Sequence, residues 1–161
     1  MFTLPSPPGG TPEGDSESNP IGLEGIKAID FERFLSILYP QSFRRCDVAT
    51  VAEWTSVLHI ASLWQFGSLR RLSLDNLAHI TSPIQHIALG KQFDVPSWLV
   101  PAYTEICVRA EPLTLEEGKE LGLVDVIKIG QVRHQIRYVT NLNRHEDTIL
   151  MLVADRFGNR G

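Results

Sequence analysis

The side chains able to do chemistry are few and scattered: five histidines and two cysteines, Cys46 and Cys107, in 161 residues. Thiolates and imidazoles hold zinc when they recur at short fixed spacings such as Cys-x-x-Cys. Here the cysteines lie 61 positions apart, so they read as free thiols of a reducing compartment. Nucleophilic and phosphate-handling sites also leave spacings in a sequence. There is no G-x-S-x-G, no H-E-x-x-H, no G-x-x-x-x-G-K and no G-x-G-x-x-G, and the reading is a non-enzymatic chain with no cofactor and no metal. A hydrolase would need its nucleophile and base brought together by folding alone. His59 stands among apolar neighbours at helical spacing and reads as a core or edge histidine. The remaining chemistry is cationic: Arg44-Arg45, Arg70 and Arg71, then Arg133, Arg137 and Arg144 with His134 and His145. A guanidinium strip can engage phosphates. Residues 126 to 161, however, carry six Lys or Arg against three Asp or Glu, interleaved with apolar positions as on a solvated helix face. Nucleic acid is therefore the disfavoured partner.

Composition agrees. The formal charge of −4 includes Glu13, Asp15 and Glu17 in the first 20 residues, which hold no Lys or Arg, so the other 141 residues carry only −1. A near-neutral body exerts no global pull on nucleic acid or anionic lipid. The longest apolar run, residues 149 to 154, has six members, far from the roughly 18 that a membrane helix needs. The N-terminus lacks the basic start of a secretory signal. These features predict an intracellular protein, of cytoplasm or nucleus, with no membrane association.

The elements that must position these side chains are mostly helices. Residues 5 to 20 hold five prolines, three glycines and three serines, which predicts a disordered lead over 1 to 18. Ile21 and Leu23 alternate as in a short strand. Asp30 is the expected N-cap of a helix carrying Phe31, Phe34, Leu35 and Leu38 up to Pro40, with Ile29 and Phe34 at hydrophobic-staple spacing. Thr50 and Glu53 form a capping-box pattern ahead of Trp54, Val57, Leu58, Ala61 and Trp64. Gly67 is read as closing that helix and Ser68 as restarting it, with Leu69, Leu72 and Leu77 inward and Arg70 and Arg71 toward water. Ser82-Pro83 starts a helix read to Gly90, and Asp94-Val95-Pro96 starts one bearing Trp98, Leu99, Ala102, Tyr103 and Ile106. Thr114 and Glu117 open a short helix that ends at Gly122. Val126, Ile129, Val132, Ile136 and Val139 follow at helical spacing, and Ile149, Leu152, Val153 and Phe157 mark a last helix stopped by Gly158. The Trp and Tyr residues are placed on inward stripes.

Order and pattern resemble a known family. Residues 19 to 40, NPIGLEGIKAIDFERFLSILYP, and 51 to 77, VAEWTSVLHIASLWQFGSLRRLSLDNL, are similar to the C-terminal half of a BTB (POZ) domain. Residues 82 to 123, SPIQHIALGKQFDVPSWLVPAYTEICVRAEPLTLEEGKELGL, resemble the helical extension of many fungal BTB proteins. The resemblance implies a mainly α fold with an α+β remnant: half a BTB domain with one short strand, then a helical extension. Its divisions would be a lead (1–18), a partial BTB-like unit (19–80), the extension (81–140) and a tail with a short helix (141–161). The strands and helices that open a BTB domain have no counterpart ahead of residue 19.

The function this implies is a protein–protein interaction module. Ile21, Leu23, Arg70, Arg71, Arg133 and Arg137 are the candidate partner surface, and an unpaired strand at residues 21 to 23 would favour self-association or a second polypeptide. Two alternatives are weighed. A substrate adaptor for a cullin-type ubiquitin ligase would use a hydrophobic-x-Glu motif, for which Thr11-Pro12-Glu13 is the equivalent, with Thr11 in the hydrophobic place. A helical nucleic-acid-binding domain acting in transcription would use Arg133, Arg137 and Arg144.

Overall fold

The two T-x-x-E capping boxes expected at Thr50 and Thr114 form, and Ser82, expected as an N-cap, makes a third box with Gln85. In each, a Ser or Thr hydroxyl accepts from the backbone N–H three residues on, and the Glu or Gln there returns a bond to the cap's own N–H: Thr50 with Glu53, Ser82 with Gln85 and Thr114 with Glu117. The computed structural model describes residues 14, 16–40, 48–138 and 146–158. Among them the protein is mainly helical, with eight helices: α1 (Ala28–Leu38), α2 (Val51–Leu63), α3 (Gly67–Ile80), α4 (Pro83–Gln92), α5 (Pro96–Val108), α6 (Leu115–Leu121), α7 (Leu123–Tyr138) and α8 (Glu146–Phe157). Arg44, Arg45, Cys46, the motif at residues 11 to 13, most of the lead, Val139, Arg144 and His145 lie outside the described residues.

The expected strand at residues 21 to 23 does not form. The one extended pairing among the described residues is an isolated antiparallel bridge between Ser16 and Asn19, and Ile21 is 63% exposed. With no neighbouring strand to complete a ladder, Ile21 and Leu23 line an open groove beside α1 instead. The cap of α1 also differs. Lys27 occupies the N-cap without a side-chain bond, because the Asp30 carboxylate is drawn into a tertiary contact: Ser56 Oγ donates to Asp30 Oδ1 at 2.5 Å, and Arg33 Nη1 donates to Ser56 Oγ at 2.9 Å. Ile29 is left exposed, so no staple forms.

Two glycines take other roles than the expected ones. Gly67 opens α3 rather than closing α2. Gly90 lies inside α4, where a Cβ would stand 2.9 Å from Leu99 Cδ2; it permits close approach of α5. The reversals are made by non-glycine residues. At the end of α2 the N–H groups of Gln65 and Phe66 bond to the Ser62 and Ala61 carbonyls, with Gln65 at φ +59°. At the end of α4 the Val95 N–H bonds to the Gly90 carbonyl, with Asp94 at φ +53°. Both turns close like a Schellman motif, whose left-handed position ordinarily favours glycine.

Two apolar clusters result. Phe34, Trp54, Val57, Leu58, Ile60, Ala61, Leu77 and Leu89 join α1 to α3 with the C-terminal half of α4. Leu38 and Leu72 were expected in this cluster; both are exposed, because α2 presents its buried face to one side of α1 and one side of α3 only. The second cluster gathers α4 to α8 around Tyr103, Ile106, Ile129, Val132 and Val153. Trp98 of α5 packs against the first cluster and its ring lies 4.9 Å from that of His86 on α4. Burial holds the His86 imidazole below its usual value of 6.5, partly opposed by the Ala78 carbonyl and by Glu105, and its Nε2 is buried without a hydrogen-bond partner.

Two predictions follow from this packing. Leu58→Ala leaves a cavity in a fully buried site and should cost about 2 to 5 kcal/mol in urea unfolding, whereas Leu72→Ala should cost no more than about 0.5 kcal/mol. Because the folded state binds the His86 proton more weakly than the unfolded chain does, stability contributed at neutral pH should be lost as pH falls through 6.5 and level off below the folded value. A His86→Phe variant should melt without that component; identical pH profiles for the two proteins would refute it.

Candidate functional site

The apolar stripe of α1 is only half used by the core. Phe34 is 2% exposed, while Phe31, Leu35 and Leu38, at helical spacing from it, form the floor of an open groove. Ile21 and Leu23 make one wall. Trp64 and Phe66, on either side of Gln65 in the α2–α3 turn, make the other, and Tyr39 stands at the end. The volume enclosed is about 420 Å³. Four rings knit this region together: Trp64 meets Phe31 at 6.0 Å and Phe34 at 5.6 Å between centroids, and Phe66 meets Phe34 at 5.6 Å and Trp64 at 6.4 Å. These are edge-on or tilted contacts, the arrangement preferred by ring quadrupoles. They leave ring faces and edges at the surface: Tyr39 is 76% exposed, and Leu38, Trp64 and Phe66 each remain more than a third exposed. Trp64 and Tyr39 thus depart from the inward placement expected for the aromatic residues. The left-handed Gln65 is what sets Trp64 and Phe66 side by side, and such strain in a non-glycine residue is often kept where a surface is used.

The predicted surface residues divide into two sets. Ile21 and Leu23 line this groove. Three of the four arginines are instead engaged by backbone carbonyls. Arg70 Nη2 donates to the Phe93 carbonyl at 2.8 Å, tying α3 to the end of α4. Arg133 donates to the carbonyls of Ile106, Ala110 and Glu111 at 2.6, 3.3 and 3.0 Å, and Arg137 to those of Arg109 and Ala110 at 2.7 and 3.2 Å. Two cations on α7 thereby satisfy the carbonyls at and beyond the C-terminus of α5, where a positive charge also complements the helix dipole. Arg71 is exposed. Arg109 is paired with Glu117 through bonds of 2.7 and 2.5 Å. That guanidinium, helped by the Thr114 N–H, holds the Glu117 carboxyl down to about 2.

One polar cluster carries no sequence signal at all. Asp125, 2% exposed in the first turn of α7, accepts a hydrogen bond from the Tyr103 hydroxyl at 2.9 Å and is ion-paired with Lys91 of α4. The Tyr103 ring is stacked on Phe157 of α8, 3.7 Å between centroids and 16° between planes. In one-letter sequence Asp125 reads as a first-turn acidic residue like any other. Only the tertiary fold shows that it joins α4, α5 and α7. Its charge is matched by Lys91 and its oxygen by the Tyr103 phenol, so the contact ties α4, α5 and α7 together. Cys107, fully buried nearby in the same cluster, has its thiol pushed up to about 11 by burial, which keeps it protonated and unreactive.

Among the described residues no group of three or more His, Cys, Asp or Glu is placed to hold a metal ion, and no helix is long and apolar enough to cross a membrane. Comparison with protein-family models, curated proteins and solved structures returns no match for this chain.

Removing the Asp125 carboxylate takes away the anion that the largely buried Lys91 ammonium and the buried Tyr103 hydroxyl share. Asp125→Ala should therefore destabilise by about 3 to 5 kcal/mol, read as a lowered urea midpoint, and a cost near zero would show that the cluster is not holding these helices together.

Proposed function

We propose that this chain is a non-enzymatic protein–protein interaction module of the BTB (POZ) type, with the aromatic groove between residues 21 to 23, α1 and the α2–α3 turn as its docking surface. The observation that carries this reading is the groove itself. Aromatic and large aliphatic side chains are gathered there yet left open to water, and contiguous exposed apolar surface of this kind marks interaction sites. The BTB assignment rests on the resemblance over residues 19 to 40, 51 to 77 and 82 to 123. It is supported by the order of elements: a helix ending in Leu-Tyr-Pro, an α2–α3 hairpin, then the paired helices α4 and α5.

Partner choice on such a surface comes from shape and apolar complementarity. Two of the three arginines that a nucleic-acid reading would use, Arg133 and Arg137, already donate to carbonyls of the α5 terminus, and Arg144 lies outside the described residues. The adaptor alternative depends on Glu13 and its neighbours, outside the described residues.

The test is capture from cells with three full-length variants beside the wild type. Tyr39→Asp changes a residue that is mostly in water, and Phe66→Asp puts a good capping residue at the N-cap of α3, so both should fold. Proteins captured by the wild type should be lost with either variant and kept with Arg71→Ala. The same set retained by all four proteins would show that the groove is not the docking surface.

A further inference from the structure

We propose that the groove is a surface for polyproline-type chain, and that its resident occupant is residues 4 to 8 of this same protein, Leu4-Pro5-Ser6-Pro7-Pro8. The inference rests on the interaction reading above and names what regulates that site. Three observations lead to it.

The groove has the chemistry that prolines seek. Its accessible side chains are Tyr39, Trp64, Phe66, Leu38, Ile21 and Leu23, with no charged group among its lining residues. Proline-rich segments recognise aromatic-lined surfaces because their extended helix is ordered before binding and loses little entropy on docking. Residues 4 to 8 carry no charge either, and Pro5 and Pro8 stand in the P-x-x-P relation, one turn or about 9 Å apart at 3.1 Å per residue. An apolar, uncharged ligand thus matches an apolar, uncharged groove.

The chain also delivers this segment to the groove. The Gly14 N–H donates to the Asn19 carbonyl at 2.6 Å and Ser16 is bridged to Asn19, so the backbone doubles back and Gly14 lies beside the residues that follow the turn. A Cβ built on Gly14 would stand 2.7 Å from Ile21 Cγ1, and Ile21 is itself a wall of the groove. The last described residue before the leader is therefore on the groove's edge. Pro8 is six residues upstream, a reach of up to about 20 Å.

The tether supplies the affinity. A connection as short as residues 9 to 13, which contains Gly9-Gly10, gives an effective concentration on the order of millimolar. A contact too weak to persist between separate molecules is then populated within one. A docked leader competes with an outside partner and raises its apparent dissociation constant.

The test is NMR on the full chain, with ¹⁵N-labelled indoles of Trp54, Trp64 and Trp98 as reporters. Pro5→Ala/Pro7→Ala/Pro8→Ala together should shift the Trp64 indole resonance and leave those of Trp54 and Trp98 in place. Reciprocally, Tyr39→Ala should shift the Ser6 amide. Both shifts should be independent of protein concentration, and the triple variant should capture more partner than the wild type. Unmoved Trp64 and Ser6 resonances overturn the proposal, and so does a shift that grows with concentration, which would assign the groove to a second copy. A Leu4→Ala effect without any effect of the triple variant also overturns it, since an apolar anchor would then be acting in place of proline. None of these resonances depends on an outside partner, so a silent result here alongside loss of capture by Phe66→Asp would sink the leader while leaving the docking surface standing.

Discussion

Burial of α2 is the constraint from which the N-terminal half is built. Val57, Leu58, Ile60 and Ala61 are all inaccessible to water, so within one turn this helix leaves only His59 on the surface. A helix buried nearly all round must be covered on several sides. α3 covers it by folding back across the Gln65 turn, α1 crosses it through Phe34, and the C-terminal half of α4 closes the remainder through Leu89. The position of α1 is then fixed further by the bonds that run from Arg33 to Ser56 to Asp30, a polar pin at the rim of an apolar contact. Having committed Phe31, Phe34 and Ile37 to this side, α1 has Leu35 and Leu38 left over. The groove is the geometric remainder of that choice, and the candidate site and the core are parts of one packing arrangement.

The C-terminal half is held by a different balance. Each of its helices leaves carbonyls or N–H groups to be satisfied. Long cationic side chains answer much of that need from neighbouring helices: Arg133 and Arg137 at the end of α5, Lys128 at the Arg156 carbonyl of α8, and Arg70 at the end of α4. Charge that looks available for phosphate in a one-dimensional reading is consumed in closing helix ends. The same logic places Asp125 at the N-terminal turn of α7, where the dipole, Lys91 and the Tyr103 hydroxyl together make a buried carboxylate tolerable.

A surface of exposed rings is a liability unless something occupies it. Here the leader sequence bears on the fold. Gly14, Ser16 and Asn19 form a tight reversal whose exit lies against Ile21, and proline-rich chain continues from that point. Occupation from within the same molecule, as proposed above, would shield the aromatic side chains in the absence of a partner and would yield when a partner offers more contact. Recognition by main-chain shape and ring packing needs few charges, in keeping with the near-neutral body of the protein.

What the sequence determined by itself is local: which segments are helical and where most of them start. Thr50, Ser82 and Thr114 could be read as caps because hydroxyl, N–H and carboxylate or amide lie within four consecutive residues, so no distant contact is required to form or forbid the box. The buried identity of Val57, Leu58, Ile87, Ile106 and Ile129 was equally legible, since 3.6-residue periodicity is a property of one helix. The tertiary structure decided what depends on two segments at once. Asp30 left its capping role because Ser56, 26 positions away, offered a hydroxyl; residues 21 to 23 made no strand because a ladder needs a neighbour. Leu38, Leu72 and Trp64 turned outward because a helix stripe is wider than the contact available to cover it. The groove, the Asp125 cluster and the arginine caps all belong to this second class. Each is a meeting of side chains whose spacing in the chain carries no trace of their distance in space.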